Sequence, residues 1–276
     1  MSERAADPRP IGVFDSGVGG LTVLSELHRR LPGETTVYLG DNARAPYGPR
    51  PADEVRRFTL EGVRWLVDQD IKLLVLACNT ATSQALPMVR EVSPVPVLGV
   101  VRPGAVAAAA STRVGRVGVI ATVGTVSSGA YPAAILEADG RLAVTQQACP
   151  ELVPLVEAGR LDDPETDAAV RGYLGQLGAN DPQIDTLLLG CTHYPLLRPL
   201  IERAVGERVA VVDSAFTTAL ATEDLLDALG TRATAGGEPP RHRVATTGEV
   251  EPFRAVAERL FGESLPRVEA ATLTPD

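Results

Sequence analysis

The chain alternates short apolar runs with amphipathic stretches. Residues 73–78, Leu-Leu-Val-Leu-Ala-Cys, are apolar throughout, and Asn79-Thr80-Ala81-Thr82 follows. A run of that length without alternation is the pattern of a strand buried on both faces of a parallel sheet. The small polar residues after it mark a helix start. Residues 186–195 repeat the arrangement, with Thr-Leu-Leu-Leu-Gly before Cys191 and Thr-His-Tyr-Pro after it. Residues 11–14 predict another strand, closed by Asp15-Ser16-Gly17-Val18-Gly19-Gly20 and a helix to about residue 30. Residues 35–39 predict a strand running into a polar loop over 40–48, and residues 54–68 predict a helix. A strand over 95–100 follows, before Arg102-Pro103-Gly104 breaks the pattern.

The scheme then restarts. Strands are predicted over 116–121, 142–147 and 208–212, with a helix over 166–177 and another helix after the Cys191 strand. Gly118-Val119-Ile120-Ala121-Thr122 lies against Gly12-Val13-Phe14-Asp15-Ser16, at nearly the offset that separates Cys78 from Cys191. Two related halves are expected; shared α/β patterning without duplication is the simpler alternative. Asp213-Ser214 opens a helix to about residue 229, residues 234–241 read as a loop, and a last strand (243–246) and helix (251–260) follow. The fold class expected is α/β: two similar open, mostly parallel sheets flanked by helices.

Composition narrows the function. The 276 residues are 45% apolar and 4% aromatic, so the core is mostly aliphatic, and the net charge of −9 argues against nucleic-acid binding. No apolar stretch reaches the roughly 18 residues of a membrane span, and the first ten residues lack a signal peptide's apolar core. Three cysteines (Cys78, Cys149, Cys191) make no disulfide framework, which fits a reducing cytoplasm. Lys72 is the only lysine and opens the Cys78 strand, at the wrong end of the sheet for a pyridoxal Schiff base.

Ligands of open α/β sheets bind beyond the carboxyl ends of strands. A cysteine there is often mere core filling. Two matched ones can instead face each other across a cleft between the halves, the arrangement racemisation at a carbon acid needs: one group removes the Cα proton, the other returns one to the opposite face. A free thiol is only a few per cent thiolate at neutral pH, so each needs help. Asp15 could serve Cys78 and His193 could serve Cys191, although His193 also reads as a helix cap and Asp15 as a helix-start acid. Glu157 reads as an exposed helix residue, Tyr47 as packing or binding, and Cys149 as core or support. His28 and His242 read as surface residues. Gly17-x-Gly19 resembles a dinucleotide turn, but its third glycine would fall at Thr22. No short ligand spacing supports a metal at Cys78, Cys191 and His193. A non-catalytic amino-acid-binding protein, a redox dithiol, and racemisation of another carbon acid such as aspartate or a hydantoin remain open.

The chain resembles the glutamate racemases of bacterial cell-wall synthesis, in the cofactor-independent aspartate/glutamate racemase superfamily. The residues that carry the resemblance are Phe14-Asp15-Ser16-Gly17-Val18-Gly19-Gly20-Leu21, Asp41 with Pro46-Tyr47-Gly48, Ala77-Cys78-Asn79-Thr80-Ala81-Thr82, Thr122-x-x-Thr125 and Gly190-Cys191-Thr192-His193-Tyr194-Pro195. It implies two domains, residues 1–101 with 213–276 and residues 102–212, with the site between them. It implies Cys78 and Cys191 as acid/base thiols assisted by Asp15, Glu157 and His193. The substrate set it implies is Ser16, Pro46, Tyr47, Gly48, Asn79, Thr80, Thr122, Thr125 and Thr192. It further implies conversion of L- to D-glutamate for peptidoglycan, no cofactor or metal, a homodimer, and no nucleic-acid or membrane partner.

Overall fold

Leu73, Leu74, Val75 and Leu76 are wholly buried, as an all-apolar run between two strand neighbours must be. The computed structural model describes residues 7–233, 239–262, 265 and 267–274. Its first half runs β1 (Ile11–Asp15), α1 (Leu21–Arg30), β2 (Thr36–Gly40), α2 (Ala52–Val67), β3 (Leu73–Leu76), α3 (Asn79–Val92), β4 (Val97–Gly99) and α4 (Val101–Ser111). The second half runs β5 (Arg116–Ala121), α5 (Val123–Ser128), α6 (Ala130–Ala138), β6 (Ala143–Ala148), α7 (Leu152–Glu157), α8 (Pro164–Asn180), β7 (Thr186–Gly190), α9 (Arg198–Val205) and β8 (Ala210–Asp213). The chain ends with α10 (Ser214–Leu229), β9 (His242–Thr246), α11 (Val250–Phe261) and β10 (Val268–Ala270).

Two parallel sheets result, flanked by helices. The first has the order β10-β9-β2-β1-β3-β4 and the second β6-β5-β7-β8. The inner order β2-β1-β3-β4 is thus repeated as β6-β5-β7-β8, and the registers correspond as well: Gly12 lies opposite Leu74, and Gly118 opposite Leu187. After β8 the chain returns to the first sheet, where β9 pairs with β2. Amphipathic helices cover the faces; α1 buries Leu21, Val23, Leu24 and Leu27 and packs on α10. Among the described residues no helix is long and apolar enough to cross a membrane.

Three expectations change. Arg102-Pro103-Gly104 does not interrupt the fold but lies in the first turn of α4. A proline there costs little because its missing N–H has no intrahelical partner. Gly104 brings that helix close to β7 and α10, since a Cβ would lie 3.3 Å from Leu188 and 3.5 Å from Ser214. No α-helix starts at Cys191: a bend and a 3₁₀ turn (Tyr194–Leu197) come first, with Pro195 in the turn. His28 and His242 are half-buried rather than surface residues, because the β2–β9 register sets His242 opposite Thr36 and α1 lays His28 over both. Their rings lie 3.8 Å apart, and both bond the Thr36 hydroxyl. Of the loop over 234–241, residues 234–238 lie outside the described residues.

Candidate active site

The carboxyl ends of β1, β3, β5 and β7 open onto one cavity with an open volume of about 150 Å³. Every candidate site residue named from the sequence lines it except Asp15, which bonds the Gly17 amide of the wall, and Thr125, which bonds Thr80 and Thr122 of the wall. Both thiols belong to the wall, one from the end of each related strand, and both are 5% exposed.

Cys78 caps α3. It has extended backbone, and its Sγ accepts the Ala81 N–H at 3.4 Å and lies 3.5 Å from the Ser16 hydroxyl. Burial pushes this thiol up to about 12, and negative charge on Asp15 adds to the rise, while the hydrogen bonds to Ser16 and Ala81 oppose it. Asp15 is itself wholly buried, which raises its pKa against the pull of the His193 charge. Its Oδ2 accepts the Gly17 N–H at 2.9 Å, while Oδ1 has no hydrogen-bond partner. Asp15 thus shapes the Gly17 turn and the local field rather than bonding Cys78.

Cys191 has a different neighbour. His193 Nδ1 lies 3.8 Å from its Sγ, and Nε2 lies 3.0 Å from Glu157 Oε1. Burial alone would lower the imidazole pKa, but the hydrogen bonds to Cys191 and Glu157, and their charges, raise it to about 10. His193 is therefore an imidazolium at neutral pH, held between a sulfur and a carboxylate. Gly19 permits this placement: a Cβ there would fall 2.4 Å from both the His193 Cε1 and the Thr192 Oγ1. That glycine serves the approach of the two halves to one another, whereas Gly17 lines the cavity. The Thr22 hydroxyl, at the position where a dinucleotide turn wants glycine, donates to the Thr192 carbonyl at 3.0 Å.

The remaining wall is hydroxyl and amide. Thr80, at the start of α3, and Thr122, the cap of α5, share a hydrogen bond of 2.9 Å, and Thr125 joins both from beneath. Tyr47 is 1% exposed, packs at a tilt between the rings of Phe14 and Phe58, and donates its hydroxyl to Asp41. Asp41 also binds Arg44 at 2.7 Å and the Thr247 hydroxyl at 2.6 Å, so Pro46-Tyr47-Gly48 is pinned from outside the cavity. The Gly48 carbonyl in turn accepts the Gly124 N–H at 2.8 Å, tying this loop to the second half. None of the lining residues is lysine or arginine. Among the described residues, no group of three or more His, Cys, Asp or Glu could hold a metal ion.

Several residues of the site carried no sequence signal. Pro150, Val153 and Pro154, from the start of α7 and the turn before it, form an apolar part of the wall. Cys149 lies in the wall too, wholly buried, and burial together with the Cys191 charge pushes its thiol far up. Tyr131 and Ser214 touch Asn79 from behind.

Comparison with known proteins gives the family and the fold. Residues 11–222 match the model of the Asp/Glu/hydantoin racemases. A glutamate racemase of Oceanobacillus iheyensis is 48% identical over 256 residues, 93% of each chain. The chain belongs to this family. Among the solved members, a glutamate racemase isoform from Bacillus anthracis is 43% identical and superposes with a TM-score of 0.90 over 98% of both chains. The glutamate racemase of Francisella tularensis, solved with D-glutamate, is 31% identical with a TM-score of 0.88, over 96% of this chain and 98% of that one. Like the other members of this branch, the protein is an amino-acid racemase, with the two-sheet α/β fold of the solved structures.

Proposed function

We propose that the cavity interconverts L- and D-glutamate without a cofactor by passing the Cα proton between Cys78 and Cys191. The observation that carries this reading is that two thiols from equivalent strands of different sheets wall one cavity, close enough that charge on Cys191 raises the pKa of Cys78. One thiolate takes the Cα proton, the bonding pair is left on Cα and spreads into the α-carboxylate, and the other thiol gives a proton to the opposite face. The two sulfurs exchange protonation state in each turnover. The His193 imidazolium favours negative charge on Cys191, and Glu157 holds that charge on the ring. At Cys78 the Ser16 hydroxyl and the Ala81 amide stabilise negative charge, and the incoming substrate ammonium adds a cation.

Substrate capture follows from the same wall. The hydroxyls of Thr80 and Thr122, beside the positive ends of α3 and α5, suit a carboxylate without a lysine or arginine. Asn79 Oδ1 is buried without a partner and suits the ammonium group. Ser16, Thr192 and the loop of Pro46, Tyr47 and Gly48 complete the wall. The names of the relatives, and the D-glutamate in the Francisella structure, support glutamate as substrate. We extend the reading to a domain of residues 1–101 with 213–276 and another of 102–212, a homodimer, a cytoplasmic location, and D-glutamate supply for peptidoglycan. Either enantiomer incubated with the reduced protein in deuterated water should lose its Cα proton and racemise. Exchange with aspartate but not glutamate would reassign the substrate, and no exchange in folded protein would end the two-thiol mechanism.

A further inference from the structure

Asn79 enters the cavity wall as the residue after Cys78, at the first position of α3. Its amide nitrogen donates to the Tyr131 hydroxyl at 2.7 Å and to Ser214 Oγ at 3.3 Å. These partners come from α6 in the second half and from the start of α10, where the chain turns back after β8. With the nitrogen committed to two hydroxyls, the carbonyl oxygen is the atom left over, and it is buried with no protein partner. A buried amide oxygen in that state carries a desolvation cost that a bound donor would remove. Tyr131 does a second thing: a Cβ on Gly190 would lie 2.8 Å from its Cε2, so its ring backs the residue just before Cys191. One wholly buried side chain therefore bears on the segments next to both thiols.

We propose that Tyr131, with Ser214, is a positioning residue: its hydroxyl fixes the rotamer of the Asn79 amide so that the carbonyl oxygen meets the substrate ammonium. This rests on the reading of Asn79 as an ammonium acceptor. The interaction exists equally in the bound amino acid and in the carbanion, since the ammonium does not react. Its loss therefore weakens binding without slowing the proton transfers, and raises KM with kcat preserved.

The test uses Tyr131→Phe, which keeps the ring and removes only the hydroxyl, with Ser214→Ala, Asn79→Ala and the Tyr131→Phe/Asn79→Ala double variant. Kinetics are measured in both directions on whichever amino acid the parent protein racemises, so failure of glutamate as substrate does not blur the result. Tyr131→Phe is expected to raise KM about tenfold with kcat within about twofold of the parent. Ser214→Ala should raise it about threefold. On the Asn79→Ala background Tyr131→Phe should add nothing, because the group it orients is gone. An unchanged KM in Tyr131→Phe, a fall confined to kcat, or effects of Tyr131→Phe and Asn79→Ala that multiply in the double variant would each overturn the proposal. If Tyr131→Phe fails to fold, an unchanged KM in folded Ser214→Ala overturns it equally.

Discussion

Cys78 and Cys191 follow corresponding strands of two sheets with the same inner order, yet the groups that touch them differ. Cys78 starts a real helix and is held by a backbone amide and a serine hydroxyl, with a buried carboxylate behind. Cys191 starts no helix and is faced instead by an imidazolium backed by Glu157. The strand ends carry the symmetry, and the loops between them carry the chemistry. Two sheets of the same inner order bring both thiols into the wall of one cavity; loop residues then give each thiol its own surroundings. The amino ends of the same strands differ as well. Lys72, just before β3, is 1% exposed and paired with Glu34 at 2.6 Å, and it also donates to the carbonyls of Asp7 and Thr231. Asp185, at the matching place before β7, accepts instead from the amides of Arg113 and Val114 and from the Thr112 hydroxyl.

The strongest way to break the comparison is to remove the thiols one at a time. Cys78→Ala and Cys191→Ala should each cost about 10³-fold or more in racemisation, because each leaves one face of Cα without an acid or base. Substantial turnover in either variant would show that the thiols are not a pair. The amino ends come next. Lys72→Met leaves the buried Glu34 carboxylate uncompensated and should cost about 3–5 kcal/mol by chemical denaturation. Asp185→Ala, which frees amides near the surface, should cost about 1 kcal/mol. Equal losses would refute the difference between the halves.

At the carboxyl ends, His193→Gln should lower kcat/KM about 10²-fold, whereas Ser16→Ala should stay within about tenfold, since it removes a neutral hydroxyl rather than a charge. Glu157→Gln sharpens the point through pH. The His193 pKa is raised to about 10, so the imidazolium is present throughout neutral pH and is lost as pH rises through that value. Without Glu157 the alkaline fall of kcat/KM should move down by about one pH unit or more. The smallest effect belongs to His28 and His242. Burial lowers both, His28 to about 4, so the unfolded chain binds more protons between pH 6.5 and 4 and stability declines as pH falls through that window. The parent protein should melt about 3 °C lower at pH 5 than at pH 7, and His28→Gln should reduce that gap.

Much of this is legible in the sequence. Residues 116–121 form the strand their pattern predicts, and Asp213-Ser214 opens α10. The regions missed are those where local signals compete with packing. Arg102-Pro103-Gly104 reads as a break because proline and glycine usually are one, and only its place in the first turn of α4, against Leu188 and Ser214, makes it helical. The strand β10 is three residues long, too short to show a period, and among the described residues it pairs with β9 alone. Tyr131 and Ser214 stand far from Asn79 in the chain, and no local pattern joins them.

By itself the sequence determined the parallel α/β scheme, its repetition, and the strand-end location of both cysteines, because apolar periodicity and turn chemistry act over a few neighbouring residues. Only the tertiary structure decided that both sulfurs share one cavity, that His193 is charged between Cys191 and Glu157, and that Asp41 anchors Tyr47 while Asn79 is braced from the other half. Those depend on burial and on contacts between residues far apart in the chain, where removal from water sets both the pKa values and the hydrogen-bond partners.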